Sequence, residues 1–376
     1  MTAVLALLLV AVAAAPAAAG GTIRVAVVEG ARAVDIAGAG IEVTALGGCP
    51  HCPATTWRTA RVRATAGAGG AVEAGGRRAV GFRVASGQPL RLNGRAYPST
   101  LEILRVGDAL AVVNEVDLED YLVGVVRAET GDRWPAEALR AQAIVARTYA
   151  AYHRVIAAAA GKPFHIVAST AHQVYAGQVP AASPAWAAVR ETAGEVLLWE
   201  GEVFPAFYHA ESGGHTEDPR TVFAAPNMPG LHAVRCDFSA GSPHFHWSLD
   251  LRLADLGEIL RRHAVSVGEV TAIEVIERSP SLRAATVVVR GTRGAALLRG
   301  NDFRRIVGYE TLRSTLFAVV LDRGWARFSG RGYGHGVGMC QWGAKGMAEQ
   351  GHTARQILEF YYPGTTFGRV DAAPGT

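Results

Sequence analysis

The sequence predicts an α+β protein, in which a strand-rich N-terminal module precedes a mixed domain with a buried helix pair, further strands and a closing C-terminal helix. Three observations support this fold class. Short runs that alternate branched and polar residues fill residues 22–96. Residues 118–160 then follow a helical periodicity. Strand-like runs return after them, before a last helical stretch at 340–362.

The first 21 residues are typical of an export signal. Residues 4–19 read VLALLLVAVAAAPAAA, an apolar stretch that ends in small residues. The positive charge that usually precedes such a stretch is missing, so an uncleaved membrane anchor is the alternative interpretation. Under either interpretation the rest of the chain is exported, to the periplasm or the cell wall. We expect membrane contact only if this segment stays uncleaved.

The N-terminal module, residues 22–96, carries β-type runs separated by glycine-rich pieces, and its chemistry is limited to one cysteine unit. The unit Cys49-Pro-His-Cys52 can be a redox pair, half a zinc site, a local disulfide or a pair of loop thiols. No second CxxC supplies further zinc ligands, so the last two interpretations are favoured. Cys236 and Cys340 lie far apart in the sequence, and whether they pair stays open.

Two further strands at 97–116 lead into the helix pair. Asp117 is a candidate N-cap for a short amphipathic helix that ends near Glu129. Pro135 opens the next helix, whose alanine-rich sequence is apolar around most of its circumference. A helix of this type is buried in a core. We assign residues 97–366 to one mixed domain and 367–376 to a frayed C-terminus.

The charge balance favours an acidic polymer as partner. The formal net charge is +4 and the isoelectric point about 9.0. No run of basic residues with interleaved aromatics is present, so nucleic acid is not a predicted partner.

Glu129 is the candidate acid of the helix pair. It ends a helix just before a glycine-containing loop. The negative end of the helix dipole disfavours ionisation of a carboxyl there, and an apolar neighbour such as Trp134 raises its pKa further. A carboxylic acid prepared in this way can protonate a glycosidic oxygen near neutral pH.

Two polar, glycine-rich strings supply candidate substrate contacts. GRGYGHGVGMCQWGAKGMA (330–348) contains side chains that suit sugars, namely aromatic faces and polar tips: Tyr333, His335, Gln341 and Trp342. YHAESGGHTED (208–218) adds His209 and Ser212 beside a glycine turn. The histidines of this string can be substrate contacts, metal ligands or ordinary structural residues. For the chain as a whole we predict neither a metal nor a cofactor.

Several long strings together resemble the SpoIID/LytB family (stage II sporulation protein D and amidase enhancer). The central string is NEVDLEDYLVGVVRAETGDRWPAEALRAQAIVARTYA. Three further strings match in order, TAHQVYAG, ETAGEVLLWEGEVFPAFYHAESGGHTED and GRGYGHGVGMCQWGAKGMAEQGHTARQILEFYYPGT. The resemblance covers residues 97–366 and is highly specific because the motifs are long and ordered.

The resemblance implies a lytic transglycosylase that cuts the MurNAc–GlcNAc β-1,4 bond of peptidoglycan, preferably in strands already stripped of stem peptides. The family's catalytic glutamate falls on Glu129, and its arginine of the ARTYA segment on Arg147. Arg140 stands where members usually carry Lys, which keeps the charge but changes the geometry. Some members bind zinc near the QVY motif, but His172 has no nearby Cys here, so zinc is not predicted.

The resemblance also implies glycan strands and a cell-wall amidase as partners. Arg140, Arg147 and the residues of the two glycine-rich strings are then expected to bind substrate. The alternative hypothesis is a non-catalytic wall-binding protein that stimulates an amidase, or a structural partner in an envelope complex. A retained Glu129 favours the enzyme, because a binding module does not need that acid.

Overall fold

The computed structural model describes residues 21–47, 55–223, 228 and 230–370. It confirms the α+β class, with 27% of the described residues helical and 39% in strands. The proposed export signal up to residue 20, the Cys49–Cys52 unit and residues 371–376 lie outside the described residues. No helix within the described ranges is long and apolar enough to cross a membrane.

One large sheet dominates the N-terminal part of the described chain. Its strands are β1 (Thr22–Ala31), β2 (Ala33–Leu46), β3 (Thr56–Ala66), β4 (Val72–Ala74), β5 (Arg77–Ala79), β6 (Gly81–Ala85), β7 (Leu90–Leu92), β8 (Arg95–Tyr97), β9 (Thr100–Val106), β10 (Ala109–Asp117) and β11 (Ile166–Val167). The order is β11-β1-β10-β9-β6-β2-β3-β4-β5, and β7 pairs with β2 and β8. The sheet therefore continues across residue 97, where we placed a domain boundary. That division remains a proposal.

The predicted buried helix pair is present and shares an apolar core with this sheet. It consists of α1 (Leu118–Thr130) and α2 (Ala136–Ala159). The Asp117 side chain caps α1 by accepting N–H bonds from Glu119 and Asp120. Gly124 lets α1 approach the loop at 172–177, because a Cβ there would lie 2.4 Å from the Tyr175 ring. This close approach brings the loop against the end of α1.

The second half of the core contains short strands and helices around a separate apolar cluster. Its elements are α3 (Ala185–Glu191), β12 (Glu195–Trp199), β13 (Glu202–Val203), β14 (Tyr208–His209), α4 (Pro219–Phe223), β21 (Met339–Cys340), α7 (Gln341–Glu349), α8 (Ala354–Tyr361) and β22 (Thr366–Arg369).

Two features of the C-terminus differ from the sequence prediction. The single closing helix is two helices, because Gly351 turns the chain at φ +89° and Thr353 starts α8 with a capping box. The expected fraying at 367–376 does not apply to residues 367–369, which pair with β12 as part of β22.

Residues 246–331 form a module with a core of its own, which we call the inserted module. Its elements are β15 (His246–Arg252), α5 (Leu253–Arg262), β16 (Val270–Arg278), β17 (Ala284–Gly291), β18 (Gly294–Arg299), α6 (Gly300–Val307), β19 (Phe317–Asp322) and β20 (Trp325–Arg331). They make two three-stranded sheets, β15-β20-β19 and β16-β17-β18. The module is inserted between β14 and β21, two strands that pair with each other.

Candidate active site

The Glu129 carboxyl lies where three separate segments meet the last turn of α1. The backbone N–H of Val174 donates to Oε1 at 2.9 Å, and the Tyr208 hydroxyl donates to the same oxygen at 3.4 Å. The side-chain amide of Gln341 donates to Oε2 at 3.2 Å. Both oxygens of the acid are therefore oriented by donors.

The environment of Glu129 changes its acidity in the direction the sequence indicated. Burial raises the pKa of the carboxyl, while the hydrogen bonds from Val174, Gln341 and Tyr208 lower it; the net shift is upward. The side chain is only partly covered, so an incoming group can reach it. Burial and the neighbouring Glu129 likewise raise the pKa of the Tyr208 phenol, which keeps it a hydrogen-bond donor.

Val174 is held in place by the residue before it. Gln173 is fully buried and accepts a hydrogen bond from the Tyr121 hydroxyl at 3.1 Å. Its amide donates to the carbonyl of Ala146 on α2 at 3.2 Å. Gln173 thereby ties the loop to both helices and aims the Val174 N–H at Glu129.

Tyr208 and Gln341 are brought to Glu129 by one parallel pairing. β14 pairs with β21 in a register that sets Tyr208 beside Met339 and His209 beside Cys340. Gln341 follows directly as the first residue of α7. Its amide also donates to Gln142 on α2 at 3.3 Å. The Gln341 side chain is therefore fixed between two helices.

A row of partly exposed aromatic rings begins at Trp342, next to Gln341, and leads away from Glu129. Trp134 and Trp342 meet edge to face with centroids 5.5 Å apart. The ring centroid of His244 lies 6.3 Å from that of Trp342 and 5.3 Å from that of Tyr333. The Tyr333 hydroxyl donates to Glu310 of the inserted module at 2.7 Å. Tyr333 therefore lies at the far end of this row and not beside Glu129.

His335 lies behind Tyr208 in a small aromatic cluster. Its ring is 5.7 Å from Phe207 and 5.5 Å from His209, and its Nδ1 accepts from the Val337 N–H at 3.0 Å. Burial, together with the charges of two nearby arginines, lowers the pKa of His335 to about 3. The ring is neutral at physiological pH.

His209 and Ser212 are buried behind the site. His209 is 4% exposed and Ser212 is fully buried. His209 Nδ1 lies 3.1 Å from the Val337 carbonyl, and the Ser212 N–H donates to the Cys340 sulfur at 3.3 Å. In this structure neither side chain is placed to touch a substrate.

The two arginines expected to bind substrate make ion pairs away from Glu129. Arg147 is fully buried and binds Glu119 through two hydrogen bonds of 2.8 and 2.6 Å. Arg140 pairs with Glu137 and Glu191. The Arg147 pair joins the start of α1 to the middle of α2. This contact indicates that Arg147 positions the helices, whereas the sequence indicated substrate contact.

The sequence prediction missed Val174, Gln173, Tyr208 and Gln142. All four lie in strings whose resemblance to the family was noted, but their residue types gave no further signal. A backbone N–H carries no side-chain signature at all. Gln142 looked like one polar position in an apolar helix, and only its contact with Gln341 gives it a role.

The remaining histidines and cysteines do not form a metal cluster in the described part of the chain. No group of three or more His, Cys, Asp or Glu residues there could hold an ion. His172 packs against His153 with ring centroids 4.9 Å apart. Cys236 and Cys340 are buried free thiols. Hydrogen bonding, chiefly with Cys340, lowers the pKa of the Cys236 thiol.

Comparison with known proteins gives two family matches and several relatives. A family described as stage II sporulation protein matches residues 106–199, and a domain of unknown function (DUF8618) matches residues 233–338. Stage II sporulation protein D of Bacillus amyloliquefaciens is 30% identical, over 69% of this chain and 76% of that protein. An uncharacterized protein of Brachyspira hyodysenteriae is 34% identical, over 73% and 72%. The amidase enhancer of Bacillus subtilis is 30% identical, over 65% and 40%.

Proposed function

This chain belongs to the stage II sporulation protein D family, and on that basis we propose that it is an exported lytic transglycosylase that cleaves the MurNAc–GlcNAc bond of peptidoglycan. The observation that carries the proposal is the single carboxyl at the meeting point of α1, the Val174 loop, β14 and α7. Its raised pKa suits a general acid.

A single carboxyl is what this reaction requires. Hydrolysing glycosidases generally use two carboxyl groups, one for the leaving group and one for a nucleophile or a water. Among the described residues, the groups that hydrogen-bond to Glu129 are a peptide N–H, a phenol and an amide, and none is a second acid. An intramolecular nucleophile makes the second carboxyl unnecessary.

In the proposed mechanism Glu129 acts twice. As the acid it protonates the glycosidic oxygen, so that the bond to the anomeric carbon of MurNAc breaks. As the carboxylate it then accepts the proton of the MurNAc C6 hydroxyl, which attacks that carbon and closes a 1,6-anhydro ring. The nucleophile is part of the substrate, so proximity replaces an activated water.

The three donors serve the second half of this cycle. Once Glu129 has lost its proton, the Val174 N–H, the Tyr208 hydroxyl and the Gln341 amide stabilise the carboxylate, and all three donors are neutral. Without them, the partly buried anion would be costly to form. Trp134 and Trp342, two partly exposed rings that meet edge to face next to Gln341, are proposed to stack on the sugars that flank the broken bond.

A second candidate function is stimulation of an amidase without chemistry. It is favoured by one observation, the 30% identity to a protein named amidase enhancer. Under this hypothesis the same surface binds glycan, and Glu129 is a structural residue. The two functions differ in whether new chain ends form.

The test is digestion of peptide-free glycan strands, read by mass spectrometry for 1,6-anhydro-MurNAc ends. We expect ends from the wild type and a loss of about 10²–10⁴ in rate for Glu129→Gln. Glu191→Gln is the matched control, because Glu191 is half exposed and pairs with Arg140 away from the site. If the wild-type protein binds the strands but forms no new ends, the lytic transglycosylase is rejected and the amidase-enhancer function is supported.

A further inference from the structure

The inserted module carries the positive charge of the whole chain. Residues 246–331 contain fourteen arginines, no lysine and nine carboxylates, which gives a formal charge of +5. Since the full chain has +4, the remainder is close to neutral at −1. A concentration of charge of this kind on one module favours an anionic partner.

A groove of about 790 Å³ crosses the outer face of the β15-β20-β19 sheet. Its floor is made of small side chains on neighbouring strands, Ser248, Ala318 and Ser329. Arg278 and Arg331 line the groove, and no carboxylate does. The Arg278 guanidinium donates to the carbonyls of Leu282 and Phe317. The groove is therefore cationic.

The groove is connected to Glu129 by the row of aromatic rings. Starting beside Gln341, the row runs Trp342, His244, Tyr333, and each of these rings is partly exposed. Tyr333 is two residues from Arg331, whose guanidinium lies 5.9 Å from the Phe245 ring. A ligand seated at Glu129 can follow these rings onto the module.

We propose that the inserted module binds the part of the glycan strand that does not react, and that its arginines pair with the free lactyl carboxylates of that strand. This inference rests on the proposed function for the identity of the ligand. Amidase action leaves a free lactyl carboxylate on each MurNAc, whereas an attached peptide converts that carboxylate to an amide. The carboxylates pair with Arg331 and Arg278, while sugar faces lie on Trp342, His244 and Tyr333.

Binding of this remote segment lets contacts far from the broken bond contribute to the rate. Such contacts hold the reacting sugar at Glu129 and are lost with short substrates. Because the arginines are exposed or partly exposed, the affinity is also expected to fall with added salt.

The experiment measures binding with the Glu129→Gln protein, so that the ligand is not consumed. The probes are peptide-free glycan strands of defined length, and the same strands with their lactyl carboxylates converted to methylamides. Arg331→Gln is compared with Arg323→Gln, which removes the same charge from the same module at a 93% exposed turn position. His244→Ala tests the aromatic row.

We expect Arg331→Gln and His244→Ala each to weaken binding of long peptide-free strands about fivefold, a typical effect of one ion pair or one stacked ring. Arg323→Gln is expected to stay within twofold of the parent. Methylamide strands are expected to bind more weakly and to show no difference between the two arginine variants.

Two outcomes would overturn the inference: equal effects of the two arginine variants on peptide-free strands, or undiminished binding of methylamide strands. Both can be told apart from a failure of the proposed function. If anhydro ends form but the arginine variants do not differ, the enzyme stands and the module proposal fails. If Arg331→Gln weakens binding but no ends form, the module binds glycan in a protein that does not cleave it.

Discussion

The side-chain amide of Gln341 donates a 3.2 Å hydrogen bond to Glu129, across 212 positions of sequence. The bond links the end of α1 to the beginning of α7. It is made to the oxygen that Val174 and Tyr208 do not contact. The charge state of the proposed acid therefore depends on a residue from the far end of the chain.

Replacing Gln341 by Leu removes a bond that lowers the pKa of Glu129, so this pKa is expected to rise further. Because the proposed first step needs the protonated acid, the alkaline limb of the kcat/KM profile moves to higher pH. The rate at the optimum falls about tenfold through lost positioning. Gln350→Leu, at the exposed end of α7, is the control. An alkaline limb that stays in place would argue against Glu129 as the acid.

Replacing Arg147 by Lys keeps the charge but loses the two-pronged contact with Glu119. Breaking a buried pair typically costs about 3–5 kcal/mol, and we expect the free energy of unfolding to fall by roughly 2–4 kcal/mol. Urea denaturation measures it, with the exposed Arg58→Lys as control. Unchanged stability with a raised KM would instead restore the substrate-binding role that the sequence indicated.

Lowering the pH is expected to destabilise the fold through three histidines. Burial is the largest cause that lowers the pKa of His153 and His165 to about 4 and that of His335 to about 3. The unfolded chain then binds more protons than the folded one below the ordinary histidine pKa of about 6.5. The free energy of unfolding therefore keeps its full value above that pH and decreases as the pH falls toward 4.

Urea titrations at pH 7, 5.5 and 4.5 would follow this loss, which we expect to reach a few kcal/mol because one pKa unit corresponds to about 1.4 kcal/mol. His153→Gln should flatten the dependence, whereas the exposed His263→Gln should leave it unchanged. Stability that is independent of pH over this range would contradict the prediction.

Replacing Gly338 by Ala is expected to separate β14 from β21. Gly338 has φ +71°, and a Cβ there would lie 1.9 Å from the Phe207 carbonyl oxygen. Gly201 also has a positive φ, at +87°, but a Cβ there meets nothing within 4 Å. Gly201→Ala therefore measures the strain of a left-handed backbone alone, about 1–2 kcal/mol. We expect Gly338→Ala to lose at least about 2 kcal/mol more, together with activity. Equal losses would mean that the close approach relaxes freely.

Local patterns were sufficient for the elements that depend on neighbouring residues. The Asp117 cap, the break before Pro135 and the apolar alanine helix all follow from residues close in sequence, and the structure contains each of them. The single closing helix was wrong, because the turn at Gly351 and the capping box at Thr353 outweigh the continuing apolar pattern.

The sequence by itself determined the fold class, the family and the position of Glu129 at a helix end. These depend on periodicity and ordered motifs, which are local. Only the tertiary structure decided which groups contact that acid, that Arg147 binds Glu119, and that residues 246–331 form a separate cationic module. Those features depend on strand pairing and burial between segments up to 212 residues apart. The sequence alone does not contain such distances, because a side chain acquires its partner only when the chain has folded.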